Sequence, residues 1–414
     1  MRPAAVPAAA AVTVALLGGC GFSSGPRDAI GGKQLTLYLS LPADGPSRAE
    51  ARAVLGGATV ALSGLPGHRL GRYRVRLRVL DDATPARGEW DPGQTSVAAR
   101  TAAADSTAVG YVGELNSGAS AVSIPLLSRA GIVQVSPSST AFGLTDSGPV
   151  ADPGEPQKYY PTGVRTFVRL PPSDLFQANA QLRLQRRAGC RSTYVLNDEE
   201  VDGSAFATSF ALAAPRAGIR IAGTQQFAAG ATDFTSLAGT VATAAPDCLL
   251  IAAVPSPGAV AVTVQLAAAL PNAPIFATAP LAAGAYVDPA AGGLPAALGP
   301  RVTLTSPAPG TRALPPSGRA FVAEFTRRYG PPQPDAILGY ESTSLLLDAI
   351  RRASDGGRRL VRRSAVRRAL FATRARSSVL GTYAVTPAGD TTLRDYGVYR
   401  VFVGRLAFWK VIVG

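Results

Sequence analysis

A hydroxyl-bearing turn in the first third of the chain has the composition of a binding site for a small anion. The apolar run 109–112 stops at Gly113, and from Ser117 and Gly118 onward apolar residues recur at helical spacing. The free amides of a helix N-terminus, together with a serine hydroxyl, suit a carboxylate or another small anion. Ser117 and Gly118 are therefore candidate ligand-binding residues.

A second hydroxyl-rich turn follows the next apolar run, 132–135. It contains Ser138, Ser139 and Thr140. Two parallel strands joined by a helix place both turns at the carboxyl ends of neighbouring strands, where open α/β sheets hold their ligands. Ser and Thr after a strand are also ordinary turn formers and helix caps, so each residue alone has this simpler explanation. Two such turns on adjacent strands favour a pocket.

The elements around these turns predict a first α/β half. Residues 35–41 form an apolar strand, and the helix after it opens with Ser47 and Glu50 at the spacing of a capping box. Arginines alternate with apolar residues over 72–79, which is typical of an edge strand with one solvated face.

A second α/β half is expected after residue 165. Its predicted strands and helices are 166–170, a helix from Ser173 to Gly189, 193–196, a helix over 204–214, 219–222, a helix opened by Asp233, and a strand at Leu249. Residues 281–314 are rich in Ala, Gly and Pro and are expected to be irregular. Helices over 317–329 and 336–353 and a C-terminal hairpin complete the prediction.

Two cysteines indicate a disulfide in the second half. Cys190 and Cys248 each precede an apolar run that we expect to be the first and third strand of that half. In the strand order 2-1-3-4-5 these strands are neighbours, so the two thiols start close together. The alternative is a pair of buried free thiols.

The N-terminus predicts export and lipid anchoring. Residues 1–19 combine a basic start, an apolar stretch and small residues before Cys20, a pattern that resembles a bacterial lipobox. The resemblance implies cleavage before Cys20, a lipid on its sulfur, and a tether over 20–32. An ordinary secretory signal with a chance cysteine is the alternative.

Composition argues against several other classes of protein. The net charge is +14, and eight arginines with no acid lie between 356 and 389, where we expect an amphipathic helix with a solvated basic face. Without interleaved aromatic residues this pattern does not favour nucleic-acid binding. His68 is the only histidine, so neither a metal site nor a Ser-His-Asp enzyme is expected. No cofactor motif is present.

Several segments together resemble type I periplasmic binding proteins, the branched-chain amino-acid receptors of ABC transporters. The resemblance runs from about residue 34 to the C-terminus and rests on order and spacing rather than on one motif. The segments are GELNSGASAVSIPLLSRAGIVQVSPSSTAFGLT, FVRLPPSDLFQANA, AGATDFTSL, FVAEFTRRYG and GYESTSLLLDAI.

The resemblance implies an α/β fold with two Rossmann-like, doubly wound parallel-sheet lobes joined by three crossover segments. Lobe 1 is expected to comprise 33–172 and 306–395, and lobe 2 to comprise 173–305 and 396–414. Such lobes close on a ligand like a hinged clamp. A chain of 414 residues is also too long for a single core and suits two.

Site residues can be carried over from the family where the types match. The turn at Asn116, Ser117 and Gly118 and the turn at Ser138 and Thr140 would hold a ligand carboxylate. Asp174 stands where an acid of the second lobe helps to hold the ligand amine.

Other positions depart from the family pattern. The aromatic residue that usually covers the ligand from the second lobe falls at Val201, and the carboxylate that usually pairs the amine falls at Ala279. The tyrosine after the third strand falls near Val254-Pro255, and the aromatic position of the first lobe falls at Glu50. An acid or amide that is smaller, less charged or more apolar than an amino acid is therefore expected.

The sequence thus predicts a lipid-anchored solute-binding protein of an ABC importer. It would act as a monomer on the outer face of the cytoplasmic membrane, capture a small carboxylate- or amide-bearing ligand, and deliver it to ABC permease subunits. An envelope lipoprotein of the same fold that senses a ligand or scaffolds other proteins, without transport, is the alternative.

Overall fold

Two large β-sheets, each with helices on both faces, organise the chain. A computed structural model describes residues 28–414, so the predicted signal segment 1–19 and the lipidation site Cys20 lie outside the described residues. We call the first sheet with the helices packed on it the first lobe, and the second sheet with its helices the second lobe.

The strands and helices account for most of the described residues. The strands are β1 (Gln34–Leu41), β2 (Arg69–Leu70), β3 (Tyr73–Asp81), β4 (Ala83–Thr84), β5 (Glu89–Trp90), β6 (Ala108–Val112), β7 (Val133–Ser136), β8 (Phe167–Arg169), β9 (Ser192–Asp198), β10 (Arg220–Phe227), β11 (Cys248–Ala252), β12 (Ile275–Ala277), β13 (Val302–Ser306), β14 (Arg376–Ser378), β15 (Gly381–Tyr383), β16 (Asp395–Phe402) and β17 (Arg405–Val413). The helices are α1 (Arg48–Ser63), α2 (Pro92–Ala104), α3 (Ser117–Arg129), α4 (Asp174–Arg187), α5 (Val201–Ala213), α6 (Thr235–Thr243), α7 (Pro257–Ala269), α8 (Gly284–Val287), α9 (Pro316–Tyr329), α10 (Asp335–Ala353) and α11 (Arg363–Phe371).

The strand orders confirm the predicted α/β class. The first sheet has the order β2-β3-β1-β6-β7-β8, and the second has the order β10-β9-β11-β12-β13-β16-β17. The first five strands of the second sheet are parallel in the predicted 2-1-3-4-5 arrangement. The C-terminal hairpin extends this sheet with antiparallel strands. The chain crosses between the lobes after β8, after β13 and before β16, which gives three crossover segments.

Helices cover both faces of each sheet because the central strands are apolar along their whole length. Strand β1 and strand β11 are buried at nearly every position, as expected for parallel strands between two helical layers. In the first lobe, α1, α10 and α11 pack on one face and α2 and α3 on the other. In the second lobe, α6 and α7 lie on one face and α4 and α5 on the other.

Some predicted local features are wrong. The Ser47 side chain makes no capping hydrogen bond at the start of α1, and the Glu50 carboxylate is buried instead of reaching back to the helix terminus. Ser173 likewise precedes α4 without a side-chain cap. The segment 281–314 is not wholly irregular, since it contains α8 and the sheet strand β13.

The arginine-rich segment is shorter as a helix and less solvated than predicted. Only α11 is helical, and the guanidinium of its first residue, Arg363, is buried against the carbonyls of Ala108, Ala130 and Asp105. Arg376 pairs with the buried Glu341 at 2.6 Å. These arginines therefore stabilise the first lobe rather than form one continuous basic face.

Cys190 and Cys248 form the disulfide that the sequence predicted. Their Cα atoms are 5.9 Å apart, and the bond closes a loop with a sequence separation of 58 residues. Cys248 is the first residue of β11, which pairs directly with β9. Before β9, Gly189 has a φ of 90° at the end of α4, which lets the Cys190 amide turn back to the Gln185 carbonyl at 3.0 Å.

Removal of the disulfide is expected to destabilise the second lobe. The double variant Cys190→Ser, Cys248→Ser should lower the free energy of unfolding by about 2 to 4 kcal/mol, because the unfolded chain regains the entropy of an open loop. Urea denaturation without reductant measures this difference. Reduced wild-type protein should unfold at the same urea concentration as the variant. An unchanged midpoint in the variant would contradict a stabilising bond.

None of the helices within residues 28–414 combines the length and apolar character that are needed to cross a membrane.

Candidate functional site

The two hydroxyl-rich turns meet at the carboxyl ends of β6 and β7, which pair in parallel. The Ser136 hydroxyl accepts hydrogen bonds from the amides of Ser138 at 3.2 Å and Ser139 at 2.9 Å, which tightens the second turn. The Ser117 hydroxyl at the start of α3 accepts from the amides of Thr140 and Ala141, both at 3.1 Å. One serine therefore joins the helix terminus to the second turn.

The N-terminus of α3, which the sequence predicts to be an anion site, is occupied by the carboxylate of Asp202. The Ser117 amide donates to Oδ2 of Asp202 at 3.0 Å, and the Ser117 hydroxyl donates to Oδ1 of Asp202 in a short hydrogen bond. Asp202 lies in the first turn of α5, in the second lobe. This contact crosses from one lobe to the other, and it uses the donors at the helix N-terminus that favour an anion.

A cleft between the lobes lies beside this contact. The first lobe contributes Ser47, Glu50, Leu115, Asn116, Ser138 and Asp335, and the second lobe contributes Asp202, Val254, Pro255 and Pro280. The cavity volume is about 30 Å³, far below the about 300 to 1,000 Å³ of typical small-molecule pockets. Three of the lining side chains are acidic and none is basic.

The acidic residues in the cleft are poorly compensated. Glu50 is 7% exposed, and both of its carboxylate oxygens lack a hydrogen-bond partner. Burial, and secondarily the charge of Asp335, raises the pKa of Glu50 to about 8. Burial raises the pKa of Asp335 to about 6, and that of Asp202 also to about 6 although the hydrogen bonds from Ser117 oppose the shift. Each carboxyl would be stabilised by a nearby positive charge.

Two more buried acids lie behind the cleft in the second lobe. Asp198, at the end of β9, accepts a hydrogen bond from the Val254 amide at 2.7 Å, yet burial raises its pKa to about 8. Asp174, at the start of α4, has no hydrogen-bond partner for either oxygen, and burial raises its pKa to about 7. The surroundings of the cleft therefore add to its acidic character.

The rim of the cleft holds the lobes together through a second acid of the second lobe. Glu200 accepts from the indole nitrogen of Trp90 at 3.1 Å and pairs with Arg87 at 3.3 Å. Gly118 lies directly beneath, where a Cβ atom would approach the Trp90 ring to 2.6 Å. The absence of a side chain at this position allows the indole to close over the start of α3.

A buried arginine supports the second turn from behind. Arg169, the last residue of β8, is fully buried and pairs with Asp390 at 2.6 Å. Its Nη1 donates to the carbonyls of Thr140 at 2.8 Å and Ala141 at 2.6 Å. The guanidinium thus fixes the backbone segment whose amides donate to the Ser117 hydroxyl.

The structure distributes the predicted site residues unevenly around the cleft. Asn116 and Ser138 line the cleft, and Ser117 bonds to Asp202 beside it. Thr140 contributes backbone contacts to Ser117 and Asp174. Ser139 instead bonds to the Ser120 hydroxyl at 2.8 Å inside the first lobe.

Two of the second-lobe predictions, Val201 and Ala279, are one position from the lining, and the third, Asp174, lies behind the cleft. Val201 is 41% exposed at the rim, whereas Asp202 enters the cleft. Ala279 does not line the cleft, whereas Pro280 does. Asp202 and Asp335 had not been singled out, although the string DEEVD at the predicted break between strand and helix is an available signal.

Among residues 28–414, no group of three or more His, Cys, Asp or Glu side chains has an arrangement that could hold a metal ion. The site chemistry consists of carboxylates, amides, hydroxyls and apolar contacts.

Comparisons with known proteins agree with this architecture. The model of a family described as periplasmic binding protein matches residues 40–405. A search of curated proteins found no match. The chain is similar to the structure of a leucine-binding protein LivK from Thermotoga maritima, with a TM-score of 0.75 and 22% identity over 92% of this chain and 99% of that one.

Two further structures show the range of ligands in proteins of this fold. A branched-chain amino acid transporter substrate-binding protein LivJ from Streptococcus pneumoniae, in complex with isoleucine, has a TM-score of 0.74 and 18% identity over 92% of this chain and 100% of that one. An ABC transporter solute-binding protein from R. palustris, in complex with benzoate, has a TM-score of 0.73 and 17% identity over 92% and 97%. At these identities the likeness concerns the fold.

Proposed function

Because the chain belongs to the periplasmic binding protein family, we propose that it is the solute receptor of an ABC importer. The observation that carries this proposal is the cleft between the lobes, which both lobes line at the carboxyl ends of their parallel strands. Three crossover segments provide the hinge about which such lobes open and close. Proteins of this family bind solutes outside the cytoplasm, and this chain would pass its ligand to ABC permease subunits.

We further propose that the receptor is a monomeric lipoprotein. Residues 28–30 of the predicted tether 20–32 pack on the first lobe, where Ile30 is fully buried and its amide donates to the Val361 carbonyl at 2.9 Å. Cleavage before Cys20 would leave a lipid-bearing cysteine and a correspondingly shorter tether, which would hold the receptor at the outer face of the cytoplasmic membrane. The lobe limits proposed from the sequence, 33–172 with 306–395 and 173–305 with 396–414, would move against each other as the clamp closes.

Ligand contacts are proposed for residues of both lobes. Asn116 and Ser138 offer polar atoms from the first lobe, and Pro255 and Pro280 offer apolar surface from the second. Since the cavity holds about 30 Å³, a solute of amino-acid size would enter as the lobes part. The sequence led us to expect a carboxylate- or amide-bearing solute, and the contact between Asp202 and Ser117 favours a ligand that does not need the carboxylate position.

A receptor without a transport role is the second candidate. The small cavity and the direct interlobe bonds of Asp202 and Glu200 favour it, because these bonds hold the lobes together through the protein's own side chains. Such a lipoprotein would sense a ligand or scaffold envelope proteins.

Ligand binding tests the proposal. Mass spectrometry of gently purified full-length protein should identify a co-purified small solute, and the identified compound should raise the melting temperature. A ligand at one hundred times its dissociation constant adds about 2.7 kcal/mol to the free energy of unfolding. If no solute co-purifies and a broad panel of amino acids, amides, amines and organic acids gives no shift, the receptor function is wrong.

The cleft residues can be tested with the same ligand. The double variant Asn116→Ala, Ser138→Ala should bind it about fivefold to 150-fold more weakly, because each lost hydrogen bond is worth about 0.5 to 1.5 kcal/mol. Isothermal titration calorimetry measures the change. Ser147→Ala, at an exposed position away from the cleft, is the matched control and should bind as the wild type does. Equal affinity in the double variant and the control would place the site elsewhere.

A further inference from the structure

We propose that the cleft selects small organic cations that carry an ammonium or guanidinium group and no carboxylate. The proposal rests on the receptor function proposed above and names the chemical class of its ligand. It departs from the amino acids and benzoate bound by similar structures. Three observations carry it: the occupied anion position, an unpartnered buried carboxylate, and a cleft lining that contains acidic but no basic side chains.

The position that would receive a ligand carboxylate already holds one. Asp202 accepts from both the amide and the hydroxyl of Ser117, which are two of the donors that the helix N-terminus offers. A free carboxylate would have to compete with a group attached to the same protein, whose effective concentration at Ser117 is high whenever the lobes close. A ligand without a carboxylate does not enter this competition.

The buried carboxylate of Glu50 indicates that the ligand is positively charged. Its carboxylate lines the cleft, is more than nine-tenths buried, and has no hydrogen-bond partner for either oxygen. Asp335 lines the same cleft and has the same sign of charge. A buried carboxylate is stabilised when a cation with hydrogen-bond donors supplies the partner it lacks. An ammonium or guanidinium group provides both the charge and the donors.

Two arginines near the cleft are already paired, and Arg48 and Arg52 at the start of α1 are exposed and do not line the cleft. Arg87 at the rim bonds to Glu200 at 3.3 Å and to Glu89 at 3.2 Å. Arg169 behind the second turn is held by Asp390. The ten residues that line the cleft include no Lys or Arg, although the chain carries a net charge of +14. The acidic character of the cleft is therefore local and opposes the charge of the protein as a whole.

The remaining lining suits the organic part of such a cation. Leu115, Val254, Pro255 and Pro280 present apolar surface, which can cover methylene groups. Asn116 and Ser138 supply oxygen atoms that can accept from further N–H donors. Because no described group of acids has an arrangement suited to a metal ion, a small amine fits this lining better than an inorganic cation.

Pairs of compounds that differ only in the carboxylate test the ligand class directly. The pairs are leucine with 3-methylbutylamine, lysine with 1,5-diaminopentane, and arginine with agmatine. Titration calorimetry on the full-length protein should show at least one amine that binds, and that amine should bind at least tenfold more tightly than its amino acid. The preference should persist in Glu199→Ala, which removes an exposed acid from the turn just before α5, the helix that carries Asp202.

Two substitutions locate the cause of the preference. In Asp202→Ala the donors of Ser117 become available, so the amino acid of the responsive pair should gain at least tenfold in affinity. Glu50→Gln keeps the shape of the side chain and should weaken binding of the amine at least tenfold. Asp44→Asn, at an exposed position before α1, is the control for Glu50→Gln and should bind as the wild type does. If Asp202→Ala does not fold, Glu50→Gln still tests whether the amine binds beside the Glu50 carboxylate.

The outcomes separate the ligand class from the receptor function. Tighter binding of the amino acid than of its amine in the wild-type protein would overturn the ligand class and leave the receptor function standing. The same holds if none of the six compounds binds and the co-purified solute is neutral or anionic. If none binds and a co-purified solute is an amine, the ligand class stands. Absence of both binding and a co-purified solute would overturn both proposals.

Discussion

Replacement of Arg169 by alanine is expected to lower the free energy of unfolding by about 3 kcal/mol, the lower end of the range for a broken buried ion pair, because the remaining partner Asp390 is 23% exposed. The guanidinium is 0% exposed and pairs with Asp390 at 2.6 Å. It also donates to the carbonyls of Thr140 and Ala141 and to the hydroxyl of Thr145. All of these acceptors would be left without this donor in a site that water does not readily enter.

The same substitution should also impair ligand binding. The carbonyls held by Arg169 belong to the turn whose amides bond to the Ser117 hydroxyl, so loss of the guanidinium loosens the wall of the cleft. Chemical denaturation gives the stability, and titration calorimetry below the unfolding transition gives the affinity. Arg129→Ala, at an exposed position near the end of α3, is the matched control. If both variants unfold at the same denaturant concentration, the buried pair does not stabilise the fold.

Much of the fold could be predicted because its signals are local and periodic. The segment from β6 to β7 has an apolar run, a polar break, a helical repeat and a second apolar run, and the structure has a strand, α3 and a strand there. The disulfide followed from the expected neighbours in the sheet, since Cys190 and Cys248 both precede strands that pair. The predictions succeeded where the spacing of apolar residues is compatible with only one type of secondary structure.

Predictions of side-chain contacts failed where residues distant in the sequence supply the actual surroundings. Ser47 and Glu50 have the spacing of a capping box, yet Glu50 turns into the cleft between the lobes, which the local sequence does not encode. Arg363 was expected in a solvated face, but it bonds to carbonyls that are more than 200 residues away in the chain. Tertiary contacts of this kind override helical periodicity.

The first-lobe residues of the site could be predicted from the sequence, whereas Asp202 of the second lobe could not, because its position depends on tertiary contacts. The first-lobe turns lie within one supersecondary unit, so their adjacency follows from the connection between two strands. Asp202 reaches Ser117 from the other lobe, and its position depends on how the lobes meet. A shift of one residue along α5 separates Val201 at the rim from Asp202 in the cleft, and sequence spacing alone does not resolve that difference.

Acidification from about pH 9 to about pH 5 is expected to stabilise the protein by several kcal/mol. Five carboxyls in and behind the cleft, four of them buried and Asp335 half-buried, have raised pKa values, chiefly because removal from water disfavours their charged form. The values are about 8 for Glu50, about 7 for Asp174, about 8 for Asp198, about 6 for Asp202 and about 6 for Asp335. In the unfolded chain these groups titrate near pH 4.

The sign follows from proton binding. Between about pH 4 and pH 8 the folded protein binds more protons at these carboxyls than the unfolded chain does, so the free energy of unfolding falls as the pH rises. Below this window the trend should reverse, since carboxylates such as Asp348, whose pKa is lowered by Arg351 and Arg352 despite burial, lose their ion pairs.

Glu50→Gln isolates the contribution of the cleft to this dependence. Glutamine resembles the protonated acid, so the variant should match the wild type near pH 5 and exceed it in melting temperature near pH 9, where the wild-type carboxylate is charged without a partner. Thermal unfolding across pH 4 to 9 measures both curves. Asp44→Asn should follow the wild-type curve, because Asp44 is exposed.

A bound ligand cation should reduce the fall in melting temperature between pH 5 and pH 9. An amine bound beside Glu50 stabilises the charged carboxylate, so it should raise the melting temperature more at pH 9 than at pH 5 as long as its own nitrogen stays protonated. In Glu50→Gln this difference should be reduced, because the group that loses its proton on binding is absent. A ligand-induced shift that is independent of pH in both proteins would mean that the amine does not bind beside Glu50.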